Sequence, residues 1–203
     1  MTPGLLTAAL LPLWALWAPA ALAGALELRL LDGSGAPLPD AVVFLESAAA
    51  RAAVKPLAKA EIAQVSRSFD PSVTVVTVGT AVNFPNRDTV RHHIYSFSPA
   101  KKFEIKLYVG TPADPVVFDQ PGIAVLGCNI HDQMAAWVLV VPTPWFGKTD
   151  ADGVLRLPAV PAGSYQLRTW HVSLPVGAPA AEQALVVEAA SQQLSLRLAG
   201  AVK

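Results

Sequence analysis

Cysteine is nearly absent: the chain of 203 residues holds one thiol, Cys128. No intrachain disulfide can form, so stability must come from an apolar core that a chain of this length can bury. Methionine is nearly as scarce, with only Met1 and Met134. Neither sign of charge is in excess, since 15 Lys and Arg balance 15 Asp and Glu. Without a basic run nothing offsets a phosphate backbone, which argues against nucleic acid as a partner. Without an acidic tract there is no solvated acidic tail. Beyond residue 23 no uncharged apolar run is long enough to cross a bilayer. One large domain or two small ones fit this length.

What is present begins with an apolar amino-terminal stretch. Residues 1–23 hold 17 hydrophobic residues, and the first charged side chain is Glu27. The apolar centre Leu5 to Ala18, followed by the small-x-small sequence Ala21-Leu22-Ala23, predicts an export signal over 1–23 with cleavage after Ala23. A mature chain of this kind is periplasmic or secreted. No Lys or Arg precedes the run, so the α-amino group supplies its only positive charge. An uncleaved amino-terminal anchor competes with this reading, but Pro3, Pro12 and Pro19 interrupt the run.

The remainder reads as β structure: short alternating or β-branched runs divided by Pro, Gly and Asp turns. Strands are predicted at Leu26 to Leu31, Ala41 to Leu45, Val73 to Val78, Ala81 to Phe84, His93 to Ser98 and Phe103 to Tyr108. Others follow at Ile123 to Leu126, Ala135 to Val141, Val154 to Leu157, Ser164 to Trp170 and Leu194 to Leu198. So many short strands predict an all-β sandwich or barrel. Ala48 to Ala63 has helical propensity, yet Pro56 interrupts it and no apolar stripe persists, so it is read as a connector.

The chemistry concentrates in Gly127-Cys128-Asn129-Ile130-His131-Asp132-Gln133-Met134, between two predicted strands. A turn there lets thiolate, imidazole and thioether converge on one point, a donor set that suits copper. Asn86-Arg87-Asp88-Thr89-Val90-Arg91-His92-His93 supplies a second imidazole from a distant strand. Taken singly, each residue has a plainer explanation: a lone Cys or Met is more often core, and a His pair beside charges is usually a solvated turn. Jointly the balance shifts, because the only Cys and the only internal Met fall within seven residues with a His between them. A solitary thiol in an oxidising compartment also needs burial or a metal to protect it.

Cys128-x-x-His131-x-x-Met134, with the upstream Asn86-Arg87-Asp88 and His92, resembles the type 1 copper site of the cupredoxins, of the amicyanin and plastocyanin kind. The stretch Gly79 to Val141, including His92 to Pro99, also resembles methylamine utilisation proteins. The resemblance implies a cupredoxin-like Greek-key β-sandwich over 60–142 holding one copper ion. His92, Cys128 and His131 would be the strong equatorial ligands and Met134 the weak axial one. It implies outer-sphere electron transfer with a transient redox protein partner rather than an enzyme, with His131 as the exposed electron port. Two positions depart from the family pattern. His93 stands where Asn often follows the upstream ligand; strand alternation sends His92 and His93 to opposite faces, and motif alignment selects His92. Leu126 stands two residues before Cys128, where an aromatic is frequent.

A second resemblance covers the flanks. Leu30 to Val43, with its Gly33-Ser34-Gly35 turn, is similar to the opening half of a carboxypeptidase regulatory-like β-sandwich. Thr149 to Leu155 and Pro161 to Leu167 are similar to its closing half. This implies a second small sandwich of Ig or prealbumin-like type, split over 25–47 and 147–199, with the copper module inserted or packed between; a single larger sandwich is the competing arrangement. Asp150, Asp152 and Gly153 lack the later oxygen ligands of a calcium loop. His171 reads as a surface or domain-contact histidine, and Trp137, Trp145 and Phe146 as residues of a seam. Two other functions use the same residues: binding and delivery of cuprous ion without electron transfer, and a non-metallic adhesion or scaffold role. A cysteine hydrolase ranks lowest, since a Cys-His pair alone defines no oxyanion hole.

Overall fold

The computed structural model describes residues 23–202. The expected export segment lies outside the described residues, apart from Ala23. In chain order the elements are β1 (Ala23–Leu31), β2 (Val42–Glu46), α1 (Ala48–Ala53), β3 (Ala60–Glu61), β4 (Ala63–Val65), β5 (Ser68–Asp70), β6 (Val73–Thr77), β7 (Thr80–Asn83) and β8 (His92–Ser98). They continue with β9 (Lys101–Tyr108), β10 (Val116–Phe118), β11 (Gly122–Gly127), β12 (Ala135–Val141), β13 (Phe146–Lys148), β14 (Val154–Pro161), β15 (Gly163–Trp170), β16 (Ala181–Val187) and β17 (Gln192–Arg197). The fold is all-β but for α1, as the sequence predicts. Among the described residues no helix is long and apolar enough to cross a membrane.

The strands gather around two cores. Sheet β14-β1-β17 faces sheet β13-β2-β15-β16 across Leu26, Leu28, Leu30, Val43, Leu45, Leu155, Leu157 and Leu167. Both sheets join the start of the chain to its end: β1 pairs with β14 and β17, and β2 with β13 and β15. The closure is sealed by Thr149, whose buried hydroxyl donates to the Leu38 carbonyl at 2.6 Å and accepts from the Ala41 N–H at 2.9 Å. Gly153, at φ 71°, is required in the turn before β14, because a Cβ there would stand 2.5 Å from the Leu30 carbonyl oxygen.

The second core belongs to the five-stranded sheet β6-β12-β11-β8-β9, the three-stranded sheet β10-β7-β3 and the hairpin β4–β5. It is filled by Ile62, Phe69, Val76, Val82, Phe84, Ile94, Phe118, Leu126, Val138 and Val140, and it includes Cys128 and Met134. Strand β12 explains its own unbroken apolar run. Ala136, Val138 and Val140 point into this core, while Leu139 and Val141 point out into a third cluster with Val42, Phe44, Val73 and Trp170. Strand β2 is likewise covered on both faces, with Val43 and Leu45 inside its own sandwich and Val42 and Phe44 in the seam. A strand buried on both sides has no polar face to alternate with. Full burial of each such side chain contributes on the order of 1.5–3 kcal/mol, so the seam is a packed contact rather than a hinge.

Two expectations need correction and a third is narrowed. The opening of Ala48 to Ala63 is a helix, because the Ser47 hydroxyl caps it by accepting from the Ala50 N–H at 3.0 Å. Trp137 and Phe146 do pack on the seam cluster, but Trp145 turns to the other core, stacks edge-on to Tyr165 at 5.9 Å and donates Nε1–H to the Ala159 carbonyl. His171 is buried rather than at the surface, with Nδ1 accepting from the Ser173 N–H at 3.2 Å. Asp150 spends one oxygen on the Asp152 and Val154 N–H groups, and its other lies 3.7 Å from Arg156, so the turn closes on itself.

Burial pushes the His171 imidazole below its ordinary range, and the Asp40 carboxylate and the Pro39 carbonyl oppose this only in part. The fold therefore favours neutral His171. The stabilisation it brings is complete above the ordinary histidine value of about 6.5 and is lost as pH falls through the lowered folded value. The melting temperature should drop on acidification below about pH 6.5, and His171→Asn should flatten that drop; an unchanged acid slope in the variant would rule the effect out.

Candidate metal centre

The site is built at one end of the second sandwich, where two connections meet. Strand β11 ends at Gly127 and β12 begins at Ala135, with Gly127 and Ala135 paired across the ladder. Residues 128–134 must therefore turn tightly. The Met134 N–H donates to the His131 carbonyl at 2.9 Å, closing the turn and leaving Cys128 and Met134 buried, His131 half-buried and Ile130 exposed. Across from it, His92 opens β8.

The connection leading into β8 is knotted by Asn86. Its backbone N–H donates to Gly110, its side-chain amide donates to the Val90 and Tyr108 carbonyls at 2.8 and 2.9 Å, and its Oδ1 accepts from the Asp88 N–H at 2.9 Å. Asp88 is thereby aimed. Its Oδ1 accepts from the Ser66 N–H at 2.6 Å, and its Oδ2 accepts from the Arg67 N–H at 2.9 Å. Ser66 and Arg67, at φ 51° and 57°, form the left-handed tip of the β4–β5 hairpin, which presents both N–H groups outward. Burial alone would raise the Asp88 carboxyl, but the Arg67 N–H, the His92 ring and the Ser66 N–H outweigh it and hold it below the usual carboxylate range.

That carboxylate fixes His92. The Nε2 of His92 lies 2.7 Å from Asp88 Oδ2, and the ring is fully buried. A carboxylate accepts only, so Nε2 carries a proton, and in the neutral ring this leaves the lone pair on Nδ1. Nδ1 faces the Cys128 sulfur at 3.9 Å, and the His131 Nδ1 faces the same sulfur at 3.8 Å. The ligand atoms of His92, Cys128 and His131 all lie within 4.8 Å of one another. The two nitrogen–sulfur distances, 3.9 and 3.8 Å, are each within the span of about 4.3 Å that one ion bound at about 2 Å to nitrogen and about 2.3 Å to sulfur can bridge. Two imidazoles and a thiolate, with a thioether in reserve, fit a type 1 copper site.

The structure brings together three of the four expected ligands and places the fourth in the same core cluster, where Met134 packs among the residues around Cys128. It also separates the histidine pair. His93 turns to the opposite face, where its Nε2 lies 2.9 Å from Glu104 on β9. His171 is not part of the cluster. Two contributors escape a reading of the sequence. Asp88 was visible only as part of a motif; its acceptor role depends on a hairpin tip more than twenty residues upstream. Tyr95 pairs with Gly127, and a Cβ on Gly127 would stand 2.8 Å from both the Tyr95 Cζ and its hydroxyl oxygen. Its ring covers the residue before Cys128, on a strand that holds no aromatic of its own.

Solved structures resemble part of this chain. The copper-containing nitrite reductase of Thermus scotoductus SA-01 is 26% identical over 43% of the chain, with a TM-score of 0.39; the match spans 23% of the reductase. A purple cupredoxin from Nitrosopumilus maritimus is 23% identical, covers 41% of this chain and 100% of its own, and gives a TM-score of 0.36. The reduced Cu(I) form of a point mutant of amicyanin is 18% identical, covers 49% of this chain and 98% of its own, and gives 0.38. No protein-family model matches the chain, and no curated protein does.

Removing the Asp88 carboxylate frees the His92 ring and strips the hairpin tip of its acceptor. Asp88→Ala should weaken cobalt(II) binding at the cluster by about 10–100-fold, read by spectral titration; undiminished affinity would show that His92 is oriented by other means. Gly127→Ala should cost about 1–3 kcal/mol through overpacking against Tyr95, and Tyr95→Leu in the same chain should restore part of the loss in a denaturant melt.

Proposed function

We propose that this chain is a mononuclear type 1 copper protein that passes single electrons between redox proteins outside the cytoplasm. The observation that carries this reading is the convergence of His92 Nδ1, Cys128 Sγ and His131 Nδ1 within 4.8 Å, with the His92 tautomer set by Asp88. Met134 would complete the set as a weak axial donor. Copper, when bound, supplies a one-electron couple at this point. The chain's own part is to keep the donors still. Cys128 follows directly on a strand paired on both sides, and His92 opens a strand of the same sheet. Asp88 and Asn86 tie the intervening connection to the hairpin and to β9. A donor set held from three directions changes little on gain or loss of an electron, which favours fast transfer.

Two imidazole nitrogens facing one sulfur also speak against a cysteine hydrolase, which needs one base and a separate oxyanion hole. We infer further that 60–142 is the copper module and that 25–47 and 147–199 are the halves of a regulatory-like sandwich around it. The pairing of β1 and β2 with strands from the end of the chain supports this. Export through residues 1–23 would place the module in the periplasm or beyond, where a partner redox protein would be met transiently.

Copper titration of the full chain under argon should give one equivalent bound and, on oxidation, an intense visible band with a narrow copper hyperfine splitting. Cys128→Ser and His92→Ala should abolish the band, while His93→Ala should keep it. An intense band surviving Cys128→Ser would overturn the assignment. A centre that binds cuprous ion tightly but shows no reversible potential would instead favour copper delivery.

A further inference from the structure

Two polar side chains beside the ligand set have no part in the chemistry described so far. Gln64, in the middle of β4, is fully buried. Tyr108, at the end of β9, is half-buried against the core that holds Cys128 and Met134. Its hydroxyl lies 2.7 Å from the Gln64 side-chain oxygen and 2.8 Å from the Phe84 carbonyl. Burial pushes that hydroxyl well above the ordinary tyrosine range; the Gln64 bond opposes this and the charge of Cys128 adds to it, so the group stays a neutral donor. One hydroxyl carries one proton and cannot serve two acceptors, while Gln64 Nε2 is a buried donor with no partner among the described residues. A half-turn of the amide answers both: Nε2–H then donates to the hydroxyl, which donates to Phe84. What stays unmet is a carbonyl lone pair, a commoner state in a protein interior than a stranded N–H.

These two residues grip the connection into His92 from both sides. The Gln64 backbone N–H donates to the Pro85 carbonyl, and the Gln64 carbonyl accepts from the Arg87 N–H, both at 2.9 Å. The Tyr108 carbonyl accepts from the Asn86 side chain, and Tyr108 stands opposite His92 in the β8–β9 ladder. Two residues past Gln64 begins the hairpin tip, Ser66 and Arg67, that holds Asp88. The contacts therefore form a closed ring: His92, Tyr108, Gln64, the hairpin tip, Asp88 and back to His92 Nε2. Without the bond between Tyr108 and Gln64 the ring is open, and β9 and the hairpin can shift apart.

We propose that Tyr108 and Gln64 are positioning residues of the metal centre, whose hydroxyl–amide bond closes this ring and so fixes the plane of the His92 imidazole and the direction of its Nδ1. The proposal rests on the copper reading above for its purpose, but not for its geometry. Neither residue belongs to the ligand cluster. They act through Asp88 and through the strand that carries His92.

The test begins on the metal-free full chain. The His92 Nε2–H, held by a carboxylate, should give a slowly exchanging imidazole proton resonance, assigned through its loss in His92→Ala. Tyr108→Phe, and independently Gln64→Leu, should speed its exchange with solvent about tenfold. Leu167→Ala, in the core of the other sandwich, supplies the comparison: it should lower the melting temperature and leave that exchange unchanged. The double variant Tyr108→Phe with Gln64→Leu should exchange no faster than the faster single, since either change opens the same ring. Loaded with copper, each single variant should keep the visible band and widen the hyperfine splitting. Exchange in both singles no faster than in Leu167→Ala makes the pair ordinary packing and overturns the proposal. If Tyr108→Phe does not fold, Gln64→Leu decides alone, because there the Tyr108 hydroxyl keeps the Phe84 carbonyl as its acceptor. Absence of a visible band in the parent chain sinks the copper reading and leaves the His92 result standing.

Discussion

The orientation of His92 at the candidate metal centre depends on where one carboxylate is held. Asp88 accepts two backbone N–H groups from a left-handed hairpin tip and spends its remaining capacity on His92. The imidazole then has a single orientation and a single tautomer, and its free nitrogen points at Cys128. Each contact alone is an ordinary charge-assisted hydrogen bond. Their combination ties the β4–β5 hairpin, the connection into β8 and the ligand turn into one unit. The candidate donors are thus positioned by the sheet and its connections.

The architecture was legible where local pattern and tertiary burial agree. Ala135 to Val141 could be delimited to the residue because it is apolar throughout and bounded by a turn on each side. The spacing of Cys128, His131 and Met134 was legible because a tight turn brings residues three apart to one side, and His92 followed from its motif. Other elements left little trace. Strand β16 begins Ala181-Glu182-Gln183-Ala184, residues with weak strand preference, and lies at a sheet edge with four exposed positions in succession. Strands β10 and β13 are three residues each and exist only through their partners.

The contributors that escaped notice share a physical cause. Tyr95 and Trp145 act through contacts with residues 14 to 32 positions away, and Asp88, though only four residues from His92, is aimed by a hairpin tip 21 and 22 positions upstream; no sequence periodicity marks these contacts. The helix at Ala48–Ala53 was hidden differently: a cap of one hydroxyl was enough to start it, and the poor stretch beyond it masked the good one. Tyr95 also shows how a missing feature can be supplied from elsewhere. The aromatic absent from β11 is present on β8, and Gly127 makes room for it.

The closure of the outer sandwich has a bearing on how the chain acquires its shape. β1 and β2 are made first, yet their partners β13 to β17 emerge only after the whole intervening module. Pairing across so long an interval is slow, because the ends of a long flexible segment seldom meet. Once the intervening module has collapsed on its own core, that segment is no longer a flexible tether but a spacer whose two ends emerge side by side, next to β2 and β13. In that order of events the inner sandwich would serve as a template for the outer one, with β2 and β15 settling on its seam face.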